Sequence, residues 1–269
     1  RRILDATSSW WVNAHGHAHP HIVKAISRQA ETLEHIIFAG FTHEPAIRLA
    51  ERLLALLPGN QRKVFFSDNG STSVEVALKM AIQYFYNQGI ERNRIIAFRN
   101  SYHGDTLGGM SVAERNAFNL PFQTLLFEPV FVEPPYPGKE SEAIENLKSV
   151  LSEGNVAAFI FEPLVQGASG MLMYGADALS EMISICRRNS VLTIADEVFT
   201  GFYRTGKLFA SNYLSEQADM VCLSKALTGG FLPLSVTAVP EFVFEAFRSK
   251  DKYKTFFHGH SYTANPLAC

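Results

Sequence analysis

The sequence predicts an α/β domain of three layers, in which helices cover both faces of a mostly parallel central sheet. Two observations predict this fold. Short apolar runs are followed repeatedly by a polar or glycine-containing turn and usually by a helix. The chain has 269 residues, 47% of them hydrophobic and 19% charged, which is enough for one large core. We find no internal repeat or linker, so we expect a single domain over residues 1–269.

Composition narrows the classes of partner. The formal net charge is -2 and basic residues form no long run, so the sequence predicts neither nucleic acid nor membrane as a partner. No apolar run is long enough to span a bilayer. Three cysteines, odd in number and far apart, favour reduced packing residues over a disulfide framework. We therefore expect a cytoplasmic protein that binds small molecules.

The first segment is a loop that contains both tryptophans, Trp10 and Trp11. Beside polar neighbours and Gly16, these indoles suit the wall of an apolar ligand pocket, although they could also be core residues. The alternating histidines at 15, 17, 19 and 21 could suggest a metal site. No cysteine or carboxylate follows at ligand spacing, so we predict no metal.

Two helices follow this loop. Apolar positions at helical spacing predict the first from Pro20 to Ile37, and a second from Pro45 through Leu56 with a stop at Pro58. We expect both helices to pack and to carry no chemistry.

The first strand, 64–66, leads through Gly70 and Ser71 into an amphipathic helix that ends near Gly89. The free N–H groups at the start of this helix, together with nearby hydroxyls, could hold a phosphate. An ordinary N-cap needs only one of those hydroxyls, so both interpretations stay open.

The next strand, 95–98, precedes Tyr102, an aromatic residue placed to cover a ligand ring or simply to pack. The proline-rich run from Pro129 to Pro137 predicts a surface loop and excludes a helix or a central strand.

Two further strands end in carboxylates. Strand 157–161 ends at Glu162, a helix follows over 178–188, and strand 191–195 runs into Asp196 and Glu197. A strand that ends in Asp-Glu resembles the magnesium-binding element of nucleotide hydrolases. The G-x-x-x-x-G-K-[ST] loop of those proteins is missing, which argues against that interpretation.

Strand 220–223 ends just before Lys225 and a glycine pair, and strand 234–239 follows. A lysine at a strand end is usually solvated. In a dry site, however, a lysine loses its proton more easily and can form a Schiff base with an aldehyde.

The strand ends together indicate a cofactor. Parallel strands gather their carboxyl ends at one edge, where ligands bind. The five residues there suit pyridoxal 5'-phosphate: an amine for the aldehyde, a carboxylate for the ring nitrogen, an aromatic for the ring face and donors for the phosphate. These residues are Ser71, Tyr102, Glu162, Asp196 and Lys225. Lys225 would anchor the cofactor and then move a proton at the substrate carbon.

The residues resemble the class III, or subgroup II, aminotransferases of fold type I. The stretches 195–202 and 223–230 resemble the cofactor motifs of this family, and 8–11, 15–20, 41–45, 102–106 and 165–168 extend the match over nearly the whole chain. The pair of Asp196 and Lys225 alone would indicate only the broad class of enzyme. The double tryptophan and the stretch Tyr102-His103-Gly104-Asp105 make the resemblance more specific.

The resemblance implies roles for individual residues. It places Lys225 as the Schiff-base lysine and Asp196 on the pyridine nitrogen. The remaining cofactor contacts would come from Gly70, Ser71, Tyr102, Glu162, Val198 and, toward the neighbouring subunit, Ser261. Substrate contacts would come from Trp10, Trp11, Tyr102, Asp105, Lys225 and Gly259.

The resemblance also implies a homodimer with active sites at the interface. Residues 1–269 would be the large cofactor-binding domain, and an N-terminal segment and a small C-terminal domain would lie outside this chain. Two alternatives stay open: an ω-amino acid or diamine transaminase of the same family, and a scaffold that binds the cofactor but has lost catalysis.

Overall fold

The computed structural model describes all residues, 1–269. Seven of its nine strands form one sheet in the order β1-β9-β8-β7-β4-β2-β3, and β5 and β6 form a separate hairpin. The strands are β1 Gln61–Ser67, β2 Arg94–Phe98, β3 Val130–Val132, β4 Val156–Phe161, β5 Val165–Gln166, β6 Leu172–Met173, β7 Leu192–Asp196, β8 Met220–Leu223 and β9 Ser235–Pro240.

The sheet is mostly parallel, as the sequence predicts. Strands β3, β2, β4, β7 and β8 pair in parallel, whereas β9 is antiparallel to both β8 and β1. Strand β1 therefore points in the same direction as β8. The carboxyl ends of six strands consequently lie along one edge, which is where the chemically active side chains are expected.

Helices cover both faces of the sheet. Helix α4 packs across one face, where its apolar side contacts β1, β4, β7, β8 and β9, and α6 and α7 pack together on the other face. None of the helices has both the length and the apolar content needed to cross a membrane. The helices are α1 Ser8–Trp11, α2 Pro20–Thr32, α3 Glu44–Leu56, α4 Gly70–Asn87, α5 Leu107–Ser111, α6 Glu140–Ser152, α7 Ala176–Arg188 and α8 Glu241–Glu245.

The burial of the strands explains their sequence patterns. All six residues of β4 and all four of β8 are buried, because helices cover both sides of these central strands. The sequences of β4 and β8 are accordingly apolar throughout, and do not alternate between apolar and polar residues. The three-layer α/β/α prediction is confirmed.

Two local predictions need correction, and one helix was missed. The proline-rich run contains strand β3, which lies at the sheet edge and pairs only with β2, so the flanking prolines interrupt no second ladder. Helix α2 ends at Thr32 rather than at Ile37, because Leu33 is extended, with φ -162°. Helix α6 was not predicted, although its buried apolar residues follow helical spacing: Ala143, Ile144, Leu147, Val150 and Leu151.

Candidate active site

A cavity of about 510 Å³ lies at the carboxyl edge of the sheet. This volume is within the range of small-molecule sites, roughly 300–1,000 Å³. Eight of the residues singled out from the sequence line it: Trp11, Gly70, Ser71, Tyr102, Glu162, Asp196, Val198 and Lys225. They come from the ends of β1, β2, β4, β7 and β8 and from the N-terminal loop, so the topology alone brings them together.

Lys225 begins a short 3-10 turn directly after β8. Its φ is +49°, a left-handed conformation that is rare outside glycine and is concentrated at functional sites. The amine lies 5.0 Å from the centre of the Trp11 ring and 5.4 Å from that of Phe199. This aromatic surround replaces much of the water around the amine.

The pKa of the Lys225 amine is lowered, and the largest cause is burial, which disfavours the charged form. The nearby carboxylates of Asp196 and Glu162 oppose this by raising the pKa, and Arg204 adds to the lowering. The net direction is downward. A larger fraction of the amine is therefore neutral than for a lysine in water, as nucleophilic and base chemistry both require.

Asp196 closes β7 and is 5% exposed. One carboxylate oxygen accepts from the Val198 amide at 3.1 Å, and the other lies 2.7 Å from Nδ1 of buried His103. No other side chain makes a hydrogen bond to this carboxylate. The two contacts fix the orientation of the carboxylate at the cavity wall.

The sequence did not indicate the part played by His103. It follows Tyr102 in the stretch Tyr102-His103-Gly104-Asp105, whose residue types alone do not show which side chain this histidine contacts. A titratable residue just beyond a strand end was the available signal.

The start of α4 forms another wall of the cavity. Asn69 caps the helix, because its side chain accepts from the Thr72 amide at 3.0 Å while the Thr72 hydroxyl accepts from the Asn69 amide at 3.2 Å. Capping therefore uses Thr72 and does not involve the Ser71 hydroxyl. The Ser71 hydroxyl accepts instead from the Asp105 amide at 3.2 Å. That hydroxyl still has its own proton to donate to a ligand.

Two glycines allow close approach around this helix start. A Cβ at Gly70 would lie 2.6 Å from Cγ1 of Val198, so only glycine lets the helix rest against that side chain. Gly104 has φ +106°, and a Cβ there would collide with Ser71. The role of Gly104, like that of His103, could not be predicted from the sequence.

Four of the singled-out residues lie outside the cavity. Trp10 is 78% exposed, and Asp105 accepts from the Tyr102 hydroxyl at 3.0 Å rather than lining the wall. Gly259 and Ser261 lie on an exposed loop near the end of the chain. The tryptophan that faces Lys225 is Trp11, which packs edge-on against Phe199 at 4.9 Å between ring centres.

Glu197 ties the loop after β7 to the body of the domain. It is fully buried and accepts from the Thr200 hydroxyl at 2.6 Å and from the amides of Ala210 and Ser211 at 3.1 and 2.7 Å. These bonds close the loop that carries Phe199. Burial raises the pKa of Glu197, and the three hydrogen bonds oppose that rise.

We expect Glu197→Ala to lower the free energy of unfolding by roughly 3 kcal/mol, because it leaves one hydroxyl and two amides unpaired in the interior. Urea unfolding of the two proteins measures the difference. The control is Glu142→Ala, which removes an exposed pair with Lys139 at 3.0 Å and should cost less than about 0.5 kcal/mol. Equal losses in the two variants would contradict the assignment of Glu197 as a tether.

Comparison with known proteins identifies the class. The family model of the class-III aminotransferases matches residues 1–269, so the chain belongs to this family, as its motifs predict. The chain is 54% identical to adenosylmethionine-8-amino-7-oxononanoate aminotransferase of Synechococcus elongatus, over 100% of this chain and 65% of that protein. Staphylococcus aureus has an enzyme of the same name that is 42% identical, over 100% of this chain and 63% of that protein.

Solved structures agree on the fold. The enzyme of that name from Methanocaldococcus jannaschii superposes with a TM-score of 0.94 at 37% identity, over 99% of this chain and 62% of that one. An amine transaminase from an uncultivated Pseudomonas species, solved in its PLP-bound form, also gives 0.94, at 32% identity over 100% and 64%. The chain thus spans a little under two thirds of the length of these relatives.

Proposed function

We propose that this chain is the cofactor-binding part of a transaminase that moves an amino group from S-adenosylmethionine to 8-amino-7-oxononanoate. The product would be 7,8-diaminononanoate, an intermediate of biotin biosynthesis. One structural observation supports the reaction class above all: Lys225 and Asp196 line the same cavity from the ends of adjacent strands. The substrate assignment is supported by 54% identity to an enzyme of that name.

The residues present fit pyridoxal 5'-phosphate, the cofactor expected for this family. Asp196 presents a buried carboxylate for the ring nitrogen, and Lys225 presents an amine with a lowered pKa for the aldehyde. The Ser71 hydroxyl and the free amides at the start of α4 suit the phosphate. Tyr102 and Val198 line the cavity where the two ring faces would lie.

When bound, the cofactor supplies an electrophilic aldehyde and a ring that accepts electrons from the substrate α-carbon. Asp196 would favour the protonated form of the ring nitrogen through a charged hydrogen bond, and bonds of this kind contribute about 1.5–3 kcal/mol. Lys225 would hold the cofactor through its aldehyde, and its free amine would be the base that carries a proton from the substrate carbon to the cofactor. Trp11 and Phe199 exclude water from the amine.

The cofactor-loaded chain and both proposed substrates test this function. We expect S-adenosylmethionine and 8-amino-7-oxononanoate together to give the diamine, detected by mass spectrometry, and Lys225→Ala to give none. Omitting either substrate should also abolish the product. Absence of diamine with a correctly loaded protein would overturn the substrate assignment.

A second candidate is an ω-amino acid or diamine transaminase with the same cofactor site. It is favoured by the equal TM-score of the Pseudomonas amine transaminase. A screen of ω-amines against simple ketones separates the two: this candidate predicts turnover there and none with 8-amino-7-oxononanoate. A scaffold without catalysis would bind the cofactor and show no spectral change with any amino donor.

We also propose a cytoplasmic homodimer. Large apolar side chains are exposed in two segments, and a groove of about 650 Å³ includes members of both. These side chains are Phe118, Leu120, Phe122, Leu125 and Phe127 in the first segment, and Tyr253, Phe257 and Tyr262 in the second. Gly259 and Ser261 lie within the second, where a neighbouring subunit would meet them. Sedimentation equilibrium at the mass of a single chain would contradict the dimer.

A further inference from the structure

Glu162 is a buried carboxylate whose two oxygens bind two different segments of backbone. It follows β4 directly and is 4% exposed. Its Oε1 accepts from the amide of Tyr102 at 3.0 Å, and its Oε2 accepts from the amide of Gly167 at 2.9 Å. The Tyr102 segment and the Gly167 turn are therefore joined through one side chain.

Both joined segments are walls of the cavity. Next to Tyr102 is His103, whose ring holds Asp196 at 2.7 Å. The Gly167 turn lies against Phe199, since a Cβ on that glycine would be 2.9 Å from the ring. A shift of either segment would therefore move a group that faces the cofactor site.

Six titratable groups lie around Glu162, and four of them line the cavity. Its titratable neighbours are His103, Asp196, Lys225, Tyr102, Tyr136 and Tyr174. Burial raises the pKa of the carboxyl to about 7, with Asp196 adding to the rise and His103 and the two amides opposing it. Protonation turns one of the two oxygens into a hydroxyl, which is a donor. That oxygen is then a poorer acceptor for the backbone amide that it faces.

We propose that ionised Glu162 is a positioning residue of the transaminase site, and that it clamps the Tyr102 segment to the Gly167 turn and so fixes two walls around the cofactor. This inference deepens the proposed function and rests on it only for the identity of the reaction. The clamp itself is a property of the chain without cofactor. Its loss removes no group that would contact the cofactor chemistry directly, but lets the cavity walls move.

The direct test is amide hydrogen exchange by NMR on the full chain without cofactor. Glu162→Gln keeps the side-chain volume, but its amide group can accept from only one of the two amides and presents a donor to the other. We expect the protection factor of the Tyr102 or Gly167 amide to fall about tenfold at pH 8. The matched control is Glu142→Gln on the exposed face of α6, which should leave both values unchanged.

The unaltered chain provides a second arm that needs no variant. The two amide bonds favour the ionised carboxylate, so a local opening that breaks them while Glu162 stays buried should become easier as the pH falls through about 7. Protection corrected for intrinsic exchange should therefore fall between pH 8 and pH 6, and in Glu162→Gln that pH dependence should vanish. Rapid exchange of both the Tyr102 and the Gly167 amide at pH 8 in the unaltered chain would overturn the clamp, even if the variant failed to fold.

With cofactor and substrates, the clamp predicts a split between binding and turnover. We expect Glu162→Gln to raise KM for the keto acceptor about tenfold with a smaller change in kcat, and to change the pH profile of kcat/KM because residue 162 no longer titrates. If the unaltered chain protects the two amides but shows no transamination, the proposed function is contradicted and the clamp is not. If Glu162→Gln is active, with unchanged amide protection, KM and pH profile, the clamp alone is contradicted.

Discussion

Lys225→Ala is expected to abolish covalent capture of pyridoxal 5'-phosphate and to lower the transamination rate on the order of 10⁴-fold or more. The variant removes the only amine in the cavity and with it both the group that binds the aldehyde and the base that moves the substrate proton. Its fold should persist, because the side chain makes no hydrogen bond or salt bridge, only ring contacts with Trp11 and Phe199.

The measurement combines visible absorbance with borohydride reduction and peptide mass analysis. In the unaltered chain, reduction should fix the cofactor on the peptide that contains residue 225. In the variant that label should be missing, together with the visible band. A matched control is Lys207→Ala, whose amine lies over the Tyr213 ring and outside the cavity, and which should behave as the unaltered chain. Cofactor fixed elsewhere in Lys225→Ala would contradict the assignment of the anchor.

The sequence predicts much of this site because parallel strands have a simple geometric consequence. Whatever their order in the sheet, their carboxyl ends lie at the same edge, so Ser71, Tyr102, Asp196 and Lys225 are placed together once the strands are recognised. The same patterns do not specify the antiparallel insertion of β9 between β1 and β8. Both faces of that strand are buried, and its apolar run is equally compatible with either direction.

The contacts that orient the site residues depend on strand order, which the sequence patterns do not show. His103 follows β2 and Asp196 ends β7, and these strands are separated in the sheet by β4 alone. That order brings the imidazole to the carboxylate across 93 residues of sequence, and it places Glu162, at the end of β4, between them. Phe199 was missed for a different reason, because an aromatic residue after a strand is usually a packing residue.

Asp196→Asn is expected to keep the cofactor bound and to slow transamination about 10- to 100-fold. The asparagine carbonyl can still accept from the Val198 amide, so the end of β7 should keep its conformation. The negative charge that favours the protonated ring nitrogen is lost, however, and a charged hydrogen bond of about 1.5–3 kcal/mol corresponds to that range of rates. Single-turnover kinetics on cofactor-loaded protein isolate this step from binding.

Strands β7 and β8 also provide a control for the loss of a buried charge. Asp219 lies just before β8, at the opposite end from the cavity, where one carboxylate oxygen accepts from the amide and the hydroxyl of Thr193, each at 2.9 Å. Asp219→Asn should lower the free energy of unfolding without changing the rate of the loaded enzyme, whereas Asp196→Asn should change the rate far more than the stability. Equal rates in the two variants would mean that Asp196 does not act on the ring nitrogen, because Asp219 is buried and hydrogen-bonded but lies away from the cavity.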